Sequence, residues 1–151
     1  MPDLVPLEAC IEGLVALRDG RLADDHYFVW SEPRRLKDGS LILPYPDYRE
    51  PMDGLWAAFD RAGYPPEPAD YVSWMGTKAD PFDPATIRAL DRRELTLCLL
   101  AMRRGKRFCD GHWASMLRTG ALLAAAERAV ARCTPSVRAD GNRRVLPRVV
   151  E

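Results

Sequence analysis

The chain has 151 residues, 47% of them hydrophobic and 29% charged, with 22 basic and 22 acidic side chains and a formal net charge of zero. That length holds one domain with a real core and is too short for two comfortable ones. No apolar run reaches membrane-spanning length and no signal-like apolar segment follows a basic N-terminus, so the expectation is a cytoplasmic protein with no membrane partner; the charge balance argues against general polyanion binding.

From Pro6 to Asp19, Leu7, Cys10, Ile11, Leu14, Val15 and Leu17 recur at mostly helical spacing, and Gly20 follows as a stop. The period then changes. Tyr27 to Trp30 and Leu41 to Leu43 read as short strands, with Asp38-Gly39 as the turn of a hairpin that joins them by a long or irregular loop. His26 beside Asp24 and Asp25 lacks a further ligand at metal-binding spacing and reads as a solvated loop. In Leu43-Pro44-Tyr45-Pro46-Asp47-Tyr48 two prolines impose extended backbone and hold Tyr45 and Tyr48 on a rigid segment. Such a segment suits ligand recognition, and it serves equally well as a packed connector.

Pro51 to Gly63 reads as a helix with Leu55, Trp56 and Phe59 as its apolar stripe. The run from Tyr64 to Pro68 is a loop, and Asp70 to Trp74 is a helical turn or a strand that periodicity does not separate. Asp83-Pro84 opens a short helix through Leu90. Asp91 and Glu94 form an Asp-capped variant of the capping box before Leu95 to Met102, a run apolar nearly all round, as in a central buried helix. Beyond the junction described below, Trp113, Met116 and Leu117 form a helix that Gly120 stops, and Leu122, Leu123, Ala126, Val130 and Cys133 form another whose alanine-rich face permits close packing. The fold class expected is α+β: a single, mostly helical domain over residues 1–133, with a small β-hairpin-like element in its N-terminal third. Residues 134–151 form a tail, as a weak hairpin around Asp140-Gly141-Asn142 or mobile.

The most unusual chemistry lies between the last helices, at Arg107-Phe108-Cys109-Asp110-Gly111-His112-Trp113. Asp110 reads as the N-cap of the following helix, with His112 in the first turn, held neutral by the dipole, and Cys109 just outside, where the same field favours thiolate. Arg103, Arg104, Lys106 and Arg107 approach this helix start, an arrangement that can hold an anion. A cap, two core aromatics and a basic helix end account for the same residues structurally. The four cysteines are scattered without zinc-ligand spacing and read as reduced, mostly buried thiols. Residues 1–80 carry 8 basic against 15 acidic side chains, and residues 81–151 carry 14 against 7. Opposed halves attract within one fold, or present a basic face to an acidic partner.

The Tyr45-Pro46-Asp47-Tyr48 segment, the stretch Tyr71 to Trp74 and the Arg107 to His112 motif together resemble an uncharacterised bacterial and phage family classed as a domain of unknown function, over about residues 41 to 132. The resemblance implies an α-rich fold and a shared site, and no activity.

The leading expectation is a non-catalytic binding module. Tyr45, Tyr48 and Trp74 supply flat contacts, and Arg104, Arg107, Asp110 and His112 complete a pocket for an anionic small molecule or an acidic protein surface. No catalytic residue, metal or cofactor is assigned, and nucleic acid is the less favoured partner, because a helix-turn-helix would need a shorter turn than residues 103–113. Two alternatives stand beside this. One is a small enzyme using Cys109, His112 and Asp110, without a recognisable third orienting group. The other is an interaction or inhibitor protein encoded by a mobile element.

Overall fold

A computed structural model describes residues 1–133; the expected tail and its Asp140-Gly141-Asn142 turn lie outside the described residues. The architecture is mostly helical with a small antiparallel β element. Helix α1 (Val5–Arg18) leads through a short 3-10 turn into strands β1 (Phe28–Trp30), β2 (Arg34–Arg35), β3 (Leu41–Ile42) and β4 (Pro46–Tyr48). Helices α2 (Glu50–Arg61), α3 (Tyr71–Met75), α4 (Pro84–Arg88), α5 (Arg92–Gly105), α6 (His112–Arg118) and α7 (Ala121–Cys133) follow. Asp70–Trp74, undecided from periodicity, is thus helical: the Asp70 carboxylate accepts the Ser73 N–H at 3.0 Å and starts α3.

The hairpin is placed correctly by its turn, but its pairing corrects the expectation. Phe28 to Trp30 pair with Tyr48 to Pro46, not with Leu41 to Leu43, while Arg34 and Arg35 pair with Ile42 and Leu41. Both ladders share one register, so they form a single ribbon interrupted in the middle. Pro33 and Pro44 lie in that interruption, where neither can donate an N–H to the ladder. Ser31 bridges the gap: its N–H donates to Tyr45 O at 2.8 Å, and its hydroxyl accepts from the Tyr45 N–H at 3.0 Å. Leu41 and Leu43 look like a buried strand by composition, yet both are exposed. Only the base of the ribbon, at Phe28, Pro46 and Tyr48, reaches the core.

Helix α7 is the hub of the helical layer, packing on α1, α4, α5 and α6. Ala121, Ala124, Ala125, Ala126 and Ala129 are buried to 0% exposure, and these small side chains let four neighbours come close. Helix α5 is buried from Leu95 to Met102 except at Thr96, as its nearly all-round apolar run predicts. Its start is half of the expected capping box: Asp91 accepts the Glu94 N–H at 2.8 Å, but the Glu94 carboxylate turns to Lys78 (2.7 Å) and Trp74 Nε1 (3.1 Å). Asp83 occupies the N-cap position of α4 without making a side-chain cap bond. The end of α4 is satisfied from α7 instead, where Arg128 and Arg132 both donate to Leu90 O.

All four cysteines are free, but the expectation that they are mostly buried does not hold: only Cys98 is fully buried, and Cys109 is exposed in the turn before α6. Burial pushes the Cys98 thiol up to about 12, so it stays protonated at neutral pH.

Candidate functional site

The junction is built from the end of α5, the turn through Asp110, and the start of α6. Asp110 does not cap α6. The N-cap position is Gly111, which makes no side-chain bond, and Asp110 is exposed. The cap comes from 66 residues upstream: the Ala114 N–H, in the first turn of α6, donates to Tyr48 Oη at 3.1 Å, and the Tyr48 hydroxyl donates to Asp110 O at 2.8 Å. One phenol therefore satisfies an orphan first-turn donor and a turn carbonyl together. Burial raises the Tyr48 pKa, which keeps this hydroxyl protonated. Tyr48→Phe is expected to lower folding stability by about 1–3 kcal/mol, because it leaves the Ala114 N–H without a partner. Asp110→Asn is expected to change it by less than about 0.5 kcal/mol, as an exposed substitution. Urea unfolding of the two variants checks the pair, and a larger loss for Asp110→Asn would restore the carboxylate cap.

The Tyr48 ring continues into a stack. It lies 5.0 Å from Trp113, which lies 5.4 Å from Trp56, which lies 5.6 Å from Phe59. Trp113 Nε1 donates to Met102 O at 2.9 Å, tying α6 to the last turn of α5. Two cations cover the stack: Lys106 Nζ lies 4.6 Å from the Trp113 ring centre, and Arg103 Cζ lies 4.8 Å from that of Trp56.

Beside the stack runs an open groove of about 550 Å³. One wall is a single helical face of α2, with Asp53, Trp56, Ala57 and Asp60 at spacings of three, four and seven. The other is Leu100, Arg103, Arg104 and Arg107 at the same spacings along α5 and its exit, and Trp113 and Pro66 complete the lining. Arg103 is committed, forming an ion pair with Asp60 and donating to Trp56 O. Among the described residues the Arg104 and Arg107 side chains form no ion pair or hydrogen bond, and the buried Trp56 Nε1 has no acceptor. The Leu100-Arg103-Arg104-Arg107 spacing could have shown this wall in the sequence. That it faces Asp53 and Trp56 is a tertiary fact.

The remaining expected site residues lie elsewhere. His112 lines a separate apolar cavity with Tyr71, Val72, Met75, Phe82 and Phe108; its ring meets Phe82 edge-on at 5.3 Å, and its buried Nε2 has no hydrogen-bond partner among the described residues. Trp74 is buried at the start of α5, where Glu94 holds its indole. Tyr45 is 46% exposed on the ribbon. Arg104 and Arg107 therefore share a groove; Tyr48 supports it from within the fold; Tyr45, Trp74, Asp110 and His112 do not line it. Cys109 and His112 share a backbone bond, His112 N–H to Cys109 O at 3.0 Å, with no side-chain bond between them among the described residues. No group of three or more His, Cys, Asp and Glu among the described residues is placed to hold a metal ion.

Burial lowers the His112 pKa, so the folded state favours the neutral ring more than the unfolded chain does. The unfolded state then binds the extra proton as pH falls through the ordinary imidazole value of about 6.5, and stability falls with it. Between about pH 7 and pH 5, above the range of the carboxylates, wild-type stability is expected to decline and His112→Gln to follow a flatter profile. Parallel slopes in denaturant titrations across that range would remove His112 as the cause.

Among the described residues no helix is long and apolar enough to cross a membrane. Neither the curated proteins nor the solved structures contain a match to this chain. One family profile matches, over residues 8–133, which extends the similarity through α1 and the β ribbon as well as the junction. The chain belongs to that family, described as Family of unknown function (DUF6508).

Proposed function

We propose that the protein is a binding module that recognises an anionic ligand, or an acidic segment of a partner, in the groove between α2 and the exit of α5. The observation that carries this reading is the pair of uncommitted guanidinium groups, Arg104 and Arg107, on the rim of a groove backed by Trp56 and Trp113. Guanidinium groups form paired hydrogen bonds with carboxylate and phosphate, and the indoles offer a flat apolar wall to the body of the ligand. Asp53 on the opposite wall repels a ligand that is anionic all round. It favours one with its charge on one side and a hydrogen-bond donor on the other.

Native mass spectrometry tests this on protein purified gently from cells, beside Arg104→Gln/Arg107→Gln. An adduct on the wild type that the double variant lacks supports the groove. An adduct retained by both places the ligand elsewhere.

A second reading, an interaction protein, draws support from the β ribbon. Val29, Trp30, Leu36, Leu41, Leu43 and Tyr45 are all exposed there, beside Arg34, Arg35 and Lys37. An isolated two-stranded ribbon is only marginally stable, and apolar side chains concentrated on one suit contact with a second protein. Replacing Trp30 and Leu43 by serine would abolish such an association while leaving ligand capture in the groove intact.

A further inference from the structure

A second cavity, of about 320 Å³, lies on a different part of the molecule, between the end of α1, helix α4 and the α6–α7 turn. Leu14, Leu17, Leu117 and Leu123 make its apolar wall, and three arginines from three helices surround it: Arg18, Arg88 and Arg118. We propose that this cavity is a binding site for a small phosphate monoester, its phosphoryl group held by Arg18, Arg88 and Arg118 and its organic body resting on the leucines.

The charge arrangement supports a dianion. Three arginines line the cavity, and one acidic residue, Asp24, lines it with them. Arg118 contacts Asp24 at 3.4 Å and lies over the Phe28 ring at 5.5 Å, and Arg18 bonds to Asp19 at 3.0 Å. These pairs are about half exposed, and exposed pairs of this kind exchange readily for a better acceptor. The Arg88 side chain makes no ion pair or hydrogen bond among the described residues, so its charge is uncompensated there. Each arginine also sits in the last turn of its own helix, where it answers that helix's terminal carbonyls. That role accounts for one cation per helix. It is weak for α4 and α6, of 5 and 7 residues, and it does not require the three side chains to converge on one cavity.

A carboxylate offers two oxygens and one charge, whereas a phosphoryl group offers three oxygens and nearly two charges to three arms. The volume lies at the lower end of the range for small-molecule sites, which limits the organic part to about one ring. No residue of this cavity lines the groove of Arg104 and Arg107, so the two proposals fail separately.

The test is a calorimetric titration of the full chain with phenyl phosphate and with inorganic phosphate, backed by amide shift mapping. Saturable binding of phenyl phosphate, tighter than that of inorganic phosphate, with shifts centred on Thr119, Gly120 and Leu123, is the expected result. Arg88→Gln should weaken it ~10-fold or more, Arg88→Lys by less, because lysine keeps the charge and loses the paired bonds. Arg104→Gln/Arg107→Gln should leave it unchanged. Shift mapping on the wild type stands even where a variant folds poorly. Absence of saturable binding, equal affinity in Arg88→Gln, or shifts centred on the α2–α5 groove would each overturn the assignment.

Discussion

Trp113→Ala is expected to lower folding stability by about 3–5 kcal/mol, the range for removing a large aromatic from a packed site. Trp113 is 8% exposed, and it is the point at which α6, α5, α2 and the β ribbon meet. Truncation removes its packing against Tyr48 and Trp56, takes away the nearer of the two rings that Lys106 covers, and deprives Met102 O of the indole N–H. Trp113→Phe separates these effects in part, because it keeps one aromatic ring in the stack and loses the N–H and the second ring of the indole; its cost should be about 2–3 kcal/mol. Trp30, 43% exposed on the ribbon, is the control, and Trp30→Ala should stay within about 1 kcal/mol. Urea unfolding followed by circular dichroism measures all three. Equal losses at Trp113 and Trp30 would refute the placement of the stack at the centre of the junction.

Gly105→Ala is expected to destabilise, reversing the usual sign. A glycine-to-alanine change in a helix ordinarily gains up to about 1 kcal/mol. Here the added Cβ would land on the His112 imidazole, 2.9 Å from Cε1 and nearer still to Cδ2 and Nε2. The ring is packed against Phe82 and has little freedom to withdraw, so overpacking should cost about 1–3 kcal/mol. In a His112→Ala background the obstruction is gone, and the same substitution should become neutral or stabilising. A double-mutant cycle reads this coupling, and additive effects would show that the ring moves aside freely. The contact explains why a glycine stands in the last turn of an otherwise strong helix.

Local features of the sequence proved readable where local interactions decide the structure. Asp91 and the apolar run from Leu95 to Met102 identify α5 because its cap and burial pattern lie within one segment. Asp38-Gly39 marks the ribbon's turn for the same reason, with Gly39 at φ +86°. The errors fall where a distant residue decides. Asp110 has the local look of a cap, but the phenol of Tyr48 reaches the first-turn donor instead, and no spacing near residue 110 announces it. Leu41 to Leu43 have the composition of a buried strand, yet strand β1 takes Pro46 to Tyr48 as its partner, and from that pairing the Tyr48 hydroxyl meets Asp110 O and the Ala114 N–H. For the site, the helical spacing of Arg104 and Arg107 was legible. The aromatic wall from α2 was not, and His112 and Trp74 face other surroundings.

The most direct test of the groove is a titration with 4-hydroxyphthalate, a flat aromatic anion with two adjacent carboxylates on one side and a hydroxyl donor on the other, at low and physiological salt against wild type and Arg104→Gln/Arg107→Gln. The expected result is saturable binding to the wild type that weakens with salt and falls ~10-fold or more in the double variant, with quenching of tryptophan fluorescence only where binding occurs. Binding of equal strength to both proteins, or none to either, would contradict recognition of anions through Arg104 and Arg107.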